Sequence, residues 1–193
     1  MTKREIREAV NNMAVLIDTR EQDTLRARKR IKAINLPVER VVLDYGDYTY
    51  NTTLPGGEPL YDTSTRIYPK CVIERKMDLD ELAACLGASR DRFEREWERA
   101  SEHGARLWLL VENATWGDLF RYHYRSHMDP SALLGSIIAW QCRYDARLIF
   151  CSESESGRLI REILQKDLRQ RLEGGEFDGQ NRMDKAILPD IRQ

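Results

Sequence analysis

At 193 residues, 41% hydrophobic and 33% charged, the chain fits one water-soluble domain with a core of ordinary size. A formal net charge of −1 argues against a globally basic nucleic-acid or membrane-surface binder, although a local basic patch stays open because phosphate contacts depend on local potential. Four cysteines without CxxC spacing (Cys71, Cys85, Cys142, Cys151), no apolar segment in the first ten residues and no run near the roughly 20 apolar residues of a membrane span argue against a disulfide scaffold, a secreted protein and a membrane protein; buried free thiols in a reducing cytoplasm are expected.

In chain order, residues 2–11 read as a polar lead-in, which sets expected boundaries of 1–13 for the lead-in, 14–172 for the domain and 173–193 for a polar tail. Residues 14–17 are a buried strand. Residues 23–34 are a basic helix with Leu25, Ile31 and Ile34 inward and Arg26, Arg28, Lys29, Arg30 and Lys32 on a charged outer face. Two further strands are expected at 38–43 and 68–76. Between them, Pro55-Gly56-Gly57 and Pro59 mark a hairpin tip or loop over 51–66. Leu79, Leu82, Ala83 and Leu86 follow helical spacing, as do Phe93, Trp97 and Ala100.

The continuous apolar run 107–111 predicts a strand buried on both faces. Leu133, Leu134, Ile137, Ile138 and Trp140 predict a helix leading to a strand at 148–151, and strand, helix, strand in this order suggests a parallel crossover. Leu159, Ile160, Ile163, Leu164, Leu168 and Leu172 supply a last amphipathic helix. Gly174-Gly175 then opens the tail, whose apolar island Ala186-Ile187-Leu188-Pro189 is read either as disordered or as docking on a partner. The expected fold is α/β: one domain, a central mixed sheet flanked by helices.

Chemistry concentrates at the predicted strand ends. Glu74-Arg75-Lys76 closes the apolar run Cys71-Val72-Ile73, and alternation in a strand would project Glu74 and Lys76 from one face and Arg75 from the other. Gly46-Asp47 follows the second strand, and Asp18-Thr19-Arg20-Glu21 ends the first. Phosphodiester hydrolysis needs an activated water, stabilisation of charge on phosphorus and help for the leaving oxygen; Mg²⁺ or Mn²⁺ on a few carboxylates supplies all three. Asp47 and Glu74 are the candidate ligands, with the main-chain carbonyl of Arg75 as a third oxygen and Lys76 placed to orient water or stabilise developing charge.

Structural alternatives stand beside these readings. Asp47 after Gly46 suits a turn, Glu74 and Lys76 a surface pair, and Glu21 a solvated acid. Asp78-x-x-Glu81 suits a helix capping box with Asp80 at the positive end of the helix.

The pattern Gly46-Asp47 … Glu74-Arg75-Lys76-x-x-x-Asp80 resembles the GDx(n)ERKxxxD motif of the XPF/Hef-type structure-specific endonuclease domain, and Asp18-Thr19-Arg20-Glu21 resembles that family's preceding DxRE element. The likeness extends more loosely from about residue 14 to 168. It implies a restriction-endonuclease-like fold and divalent-metal-dependent cleavage of branched DNA such as flaps, forks or junctions, in repair, recombination or replication.

Residue by residue, the resemblance implies a catalytic set of Asp47, Glu74, Arg75, Lys76 and Asp80, with Asp18, Glu21 and Asp80 holding a second metal or positioning the groups around the first. It also implies a homodimer, or pairing with another protein, through helices at 133–144 and 159–172. A non-catalytic scaffold subunit is the alternative, but such partners typically lose the acids or the lysine, and this chain keeps them. No tandem helix-hairpin-helix or helicase region is evident.

Arg20, Arg90, Arg92 and Arg95 are candidate phosphate contacts, with Glu94, Glu96 and Glu98 interleaved as possible helix-face partners. Tyr122 and Arg125, near Tyr124, could stack on bases and touch phosphates. His123 and His127 share a four-residue spacing, but the HExxH glutamate is missing and zinc is not expected.

Overall fold

The computed structural model describes residues 1–177. In chain order it contains α1 (Lys3–Asn11), β1 (Ala14–Asp18), α2 (Leu25–Ile34), β2 (Val38–Val41), β3 (Tyr48–Asn51), β4 (Cys71–Lys76), α3 (Leu79–Leu86), α4 (Arg90–Glu102), β5 (Arg106–Glu112), α5 (Trp116–Phe120), α6 (Pro130–Tyr144), β6 (Arg147–Cys151) and α7 (Glu153–Glu173). The strands form one sheet in the order β2-β1-β3-β4-β5-β6. β3 runs antiparallel to both its neighbours, while the β1–β2, β4–β5 and β5–β6 pairs are parallel. This is the mixed, helix-flanked sheet that the sequence predicts.

Alternation along the strands builds two cores, one on each face. Cys71 and Ile73 of β4, Tyr48 and Tyr50 of β3 and Leu110 of β5 join Ile6 and Val10 of α1, Ile34 of α2 and Ile160, Leu164 and Leu168 of α7. On the opposite face Val72, Leu107, Leu109 and Val111 pack with Leu82 of α3, Phe93 and Trp97 of α4 and Leu133, Ile137 and Trp140 of α6. A smaller cluster of Leu16, Val41, Leu43 and Ile67 closes the β2 end. The same alternation decides where the polar residues at the ends of β4 and β5 go.

Several expectations are corrected. The stretch read as a polar lead-in forms α1: Thr2 and Glu5 make a capping box, and Ile6, Ala9 and Val10 are buried at helical spacing, so the apolar stripe outweighs the polar composition. The four-residue β3 and five-residue α5 are too short to leave a periodic signature. Leu25 points outward at 76% exposure, whereas Arg30, assigned to the charged outer face, is 3% exposed. Cys142 is exposed and Cys85 half-buried, and only Cys71 and Cys151 are buried, all four being free. α7 continues to Glu173 and Phe177 is buried in the core, so the polar tail does not open at residue 173; the remainder of that expectation, including the Ala186–Pro189 island, lies outside the described residues. Among the described residues, no helix is long and apolar enough to cross a membrane.

Candidate active site

Asp47 sits where β1, β3 and β4 meet. Gly46 before it adopts φ +71°, a left-handed conformation that favours glycine, and a Cβ there would come within 2.0 Å of Val72 Cγ2. The turn is pinned on three sides: the Asp47 N–H donates to Ile73 O at 3.0 Å, the Asp18 N–H donates to Asp47 O at 2.9 Å, and the Gly46 N–H donates to Glu96 Oε1 at 3.1 Å. The Arg75 N–H reaches Asp47 Oδ2 at 2.7 Å, bringing the carboxylate against the end of β4.

Glu74 and Lys76 project from β4 towards α4. Each is 7% exposed, and Lys76 Nζ donates to Glu74 Oε1 at 2.5 Å, so the surface-pair reading does not hold. The ammonium also lies 5.0 Å from the centre of the Phe93 ring. Burial alone would lower the Lys76 pKa, but Glu74 and Asp47 outweigh it and hold the group above the ordinary lysine value. Asp47 is pushed well above the ordinary aspartate range by burial and then by Glu74, with Lys76 acting against the shift. Glu96 is raised by burial and by Glu74.

On the other face of β4, Arg75 enters a buried network. Its Nη1 lies 3.4 Å from Glu112 Oε2 and its Nε 3.5 Å from Glu21 Oε1. Arg30 of α2 donates to both Glu112 oxygens at 2.8 and 3.1 Å, to Glu21 Oε1 at 2.9 Å and to the Tyr48 hydroxyl at 3.1 Å. Tyr48 in turn donates to Glu21 Oε1 at 2.9 Å.

The cleft above these groups holds about 760 Å³ and is lined by Arg20, Glu21, Arg26, Arg30, Asp47, Glu74, Arg75, Lys76, Arg92 and Glu96, among others. Asp18 and Asp80 are not among its lining residues. Both Asp18 oxygens are engaged, Oδ1 by the N–H and Nε of Arg20 and Oδ2 by the Leu43 N–H. Its place is therefore that of a support for Arg20 rather than an open ligand. Asp80 accepts from the N–H groups of Arg125 and Ser126, each at 2.7 Å, and from Arg125 Nε at 3.0 Å. Helix capping falls to Asp78, whose side chain accepts from the Glu81 N–H.

Of the expected phosphate contacts, Arg20 and Arg92 line the cleft, Arg90 is paired with Glu94 at 3.0 Å, and Arg95 is exposed. Tyr122 and Arg125 lie in the segment between α5 and α6 that Asp80 secures, Tyr122 being 46% exposed with φ +59°. That segment is not one helix, so His123 and His127 do not share a helical face.

Among the described residues, no group of three or more His, Cys, Asp or Glu side chains is arranged to hold a metal by itself. A hard divalent cation needs less, since Mg²⁺ is commonly held by one or two carboxylates and completes its shell with water and substrate phosphate. Asp47 and Glu74, each committing one oxygen to the hydrogen bonds described, fit that donor set, with the Arg75 carbonyl as a candidate third oxygen.

Sequence reasoning missed Glu96, Glu112, Arg30 and Tyr48. Glu112 carries a legible signal: like Glu74, it is an acid closing an apolar strand. Glu96 sits beside the Phe93–Trp97 stripe of α4, where the alternating charges masked it.

The family model for the ERCC4 domain matches residues 17–163, a span that contains every residue of the cleft. Among solved structures, XPF from Aeropyrum pernix is similar with a TM-score of 0.57 and 17% sequence identity, over 91% of this chain and 75% of that one. XPF from Aeropyrum pernix in complex with DNA is similar with a TM-score of 0.55 and 19% identity, over 82% of this chain and 66% of that one. At these identities the likeness is one of fold. No curated protein sequence matches the chain.

Proposed function

Since the chain belongs to the ERCC4 domain family, we propose that it is a divalent-metal-dependent endonuclease hydrolysing phosphodiester bonds in branched DNA. The observation that carries this reading is the buried Glu74–Lys76 pair beside Asp47 on the floor of a cleft edged by Arg20, Arg26 and Arg92. An isolated structural ion pair does not call for a third acid held protonation-prone next to it; a cation site does.

Asp47, Glu74 and the Arg75 carbonyl would hold Mg²⁺ or Mn²⁺, which when bound supplies charge neutralisation on the phosphate and an acidified water. The chain's own groups divide the remaining work. Lys76, kept charged by Glu74 and Asp47, hydrogen-bonds the attacking water and offsets the negative charge that grows on phosphorus. Arg20, steadied by Asp18, and Arg92 contact phosphates of the bound strand. Asp80 holds Arg125 and Ser126, whose carbonyl accepts from the Tyr122 hydroxyl, and Arg125 and Tyr122 contact the nucleic acid rather than the reacting atoms.

A homodimer, or pairing with a related chain, is part of the proposal. Of the two candidate helices, α7 packs against α1 and α2, and the 46% exposure of Ile138 on α6 supports α6 as the pairing face. Only monomer in light scattering at high concentration would rule this out.

The test uses labelled duplex, flap, fork and four-way-junction DNA with Mg²⁺, Mn²⁺ or EDTA, and folded Asp47→Asn and Lys76→Ala variants alongside wild type. Metal-dependent cutting of branched DNA that disappears in both variants is the expected result. Binding without cutting in either metal overturns the enzymatic reading in favour of a scaffold subunit, and cutting confined to duplex ends or RNA overturns the substrate class.

A further inference from the structure

Arg75 connects the two faces of the sheet. Its N–H holds Asp47 Oδ2, and its guanidinium projects from the other face of β4, where Glu112 and Glu21 receive it. We infer that Arg30 and Glu112 are positioning residues for the reaction: they fix the Arg75 side chain, and through it the Arg75 backbone that carries Asp47. This rests on the nuclease reading above.

Three observations support the role. First, the acids that receive Arg75 are themselves held. Arg30 grips both oxygens of Glu112 and also Glu21, so the acids that receive Arg75 cannot move independently. Second, α2 is seated closely enough to deliver Arg30: a Cβ at Gly157 of α7 would lie 2.4 Å from Arg30 O, and neighbouring Ser156 Oγ lies 3.3 Å from Arg30 Nε. Third, the network is an uneconomical way to gain stability. Glu112 is 0% and Arg30 3% exposed, and a buried ion pair often contributes no more than apolar residues of the same volume would. What it provides instead is a fixed direction for each guanidinium.

Two acids and two guanidinium groups balance here, and no proton need move. Remove the Arg30 guanidinium and Glu112 is left with Arg75, Glu21 with Arg75 and the Tyr48 hydroxyl. The Arg75 guanidinium must then shift between them, displacing the peptide whose N–H holds Asp47. A misplacement of about 1 Å at a reacting centre can cost on the order of a hundredfold in rate.

The experiment uses the full chain with Arg30→Lys and Glu112→Gln. Lysine keeps the charge but cannot bridge Glu112 and Glu21 together; glutamine keeps the shape but not the charge. Thermal unfolding, DNA affinity in EDTA, kcat and KM in Mg²⁺, and Mn²⁺ binding followed by paramagnetic resonance without DNA are measured well below each Tm. The expected result is a kcat lower by about tenfold or more, Mn²⁺ binding weaker by about fivefold, and KM and DNA affinity within about threefold of wild type.

A merely structural role would lower Tm and leave kcat per folded molecule and Mn²⁺ affinity unchanged, which would overturn the inference. Should either variant not fold, Tyr48→Phe removes one hydroxyl from the same network while keeping all four charges; about threefold lower kcat is expected, and unchanged kcat overturns the inference. A wild type that neither cuts DNA nor binds Mn²⁺ overturns the nuclease reading and this inference together, whereas an active wild type with fully active variants overturns this inference alone.

Discussion

Lys76 reaches Glu74 at 2.5 Å along a single face of β4, and the pair is buried against α4 beside the Asp47 turn. Removing the lysine would leave two carboxylates facing each other in a low-dielectric pocket. Lys76→Met is therefore expected to cost on the order of 3 kcal/mol in urea unfolding, because an uncompensated buried charge remains. It should also lower kcat by about a hundredfold or more. Adding Glu74→Gln should recover most of the stability and none of the cleavage. A double variant as unstable as Lys76→Met alone would show that the pair is not energetically coupled.

Asp47 gives the pH dependence its sign. Burial and Glu74 raise its folded pKa above the unfolded value, so its contribution to stability is full below the unfolded pKa and is lost as pH rises through the folded pKa. At neutral pH without metal, Asp47 is thus a liability. Asp47→Asn, which keeps an oxygen for the Arg75 N–H, is expected to raise Tm in EDTA by about 2–4 °C, equivalent to about 1 kcal/mol for a chain of this size, while abolishing cleavage. The wild-type rate in metal should fall towards acid pH, as Asp47 takes up a proton and its oxygens are lost to the metal. A Tm in EDTA lowered by the substitution would contradict the assignment.

Gly46→Ala tests the turn itself. The substitution would place a Cβ in the left-handed region and within 2.0 Å of Val72 Cγ2. Backbone strain and overpacking together predict a loss of about 2–4 kcal/mol. In a Val72→Ala background, which removes the packing obstacle, Gly46→Ala should cost only the backbone part, about 1 kcal/mol. Denaturant midpoints of both single variants and the double variant separate the two; an equal loss from Gly46→Ala in either background would mean that Val72 is not the obstacle.

The sequence made the cleft side of the site legible and its support nearly invisible. Asp47, Glu74 and Lys76 could be placed because strand alternation and the ends of apolar runs are local properties, and those three do converge. Arg30 could not, because five basic residues in one helix read as a solvated face. One of them turns inward where α7 approaches closely at Gly157. Its partner Glu112 lies 82 residues away in sequence, a pairing that no local period reports. α1 was lost for a related reason: its buried stripe of Ile6, Ala9 and Val10 is diluted by charges that face water.

Asp80 is where motif and geometry diverge. Its carboxylate accepts two main-chain N–H groups and the Arg125 side chain, and it does not line the cleft. Burial acts to raise its pKa, but these hydrogen bonds outweigh it and lower the pKa, so its contribution is present above the unfolded pKa and is lost as pH falls through the folded pKa. Asp80→Ala should free the segment between α5 and α6, with proteolytic nicking there faster by about five- to tenfold, corresponding to hydrogen bonds worth on the order of 1 kcal/mol net. DNA affinity should weaken as Arg125 and Tyr122 lose their fixed place, with kcat within about threefold of wild type. Asp80→Asn, which keeps an acceptor for the two N–H groups, should restore most of the protection. A kcat loss comparable to that of Lys76→Met would instead place Asp80 among the groups that act on the reacting atoms.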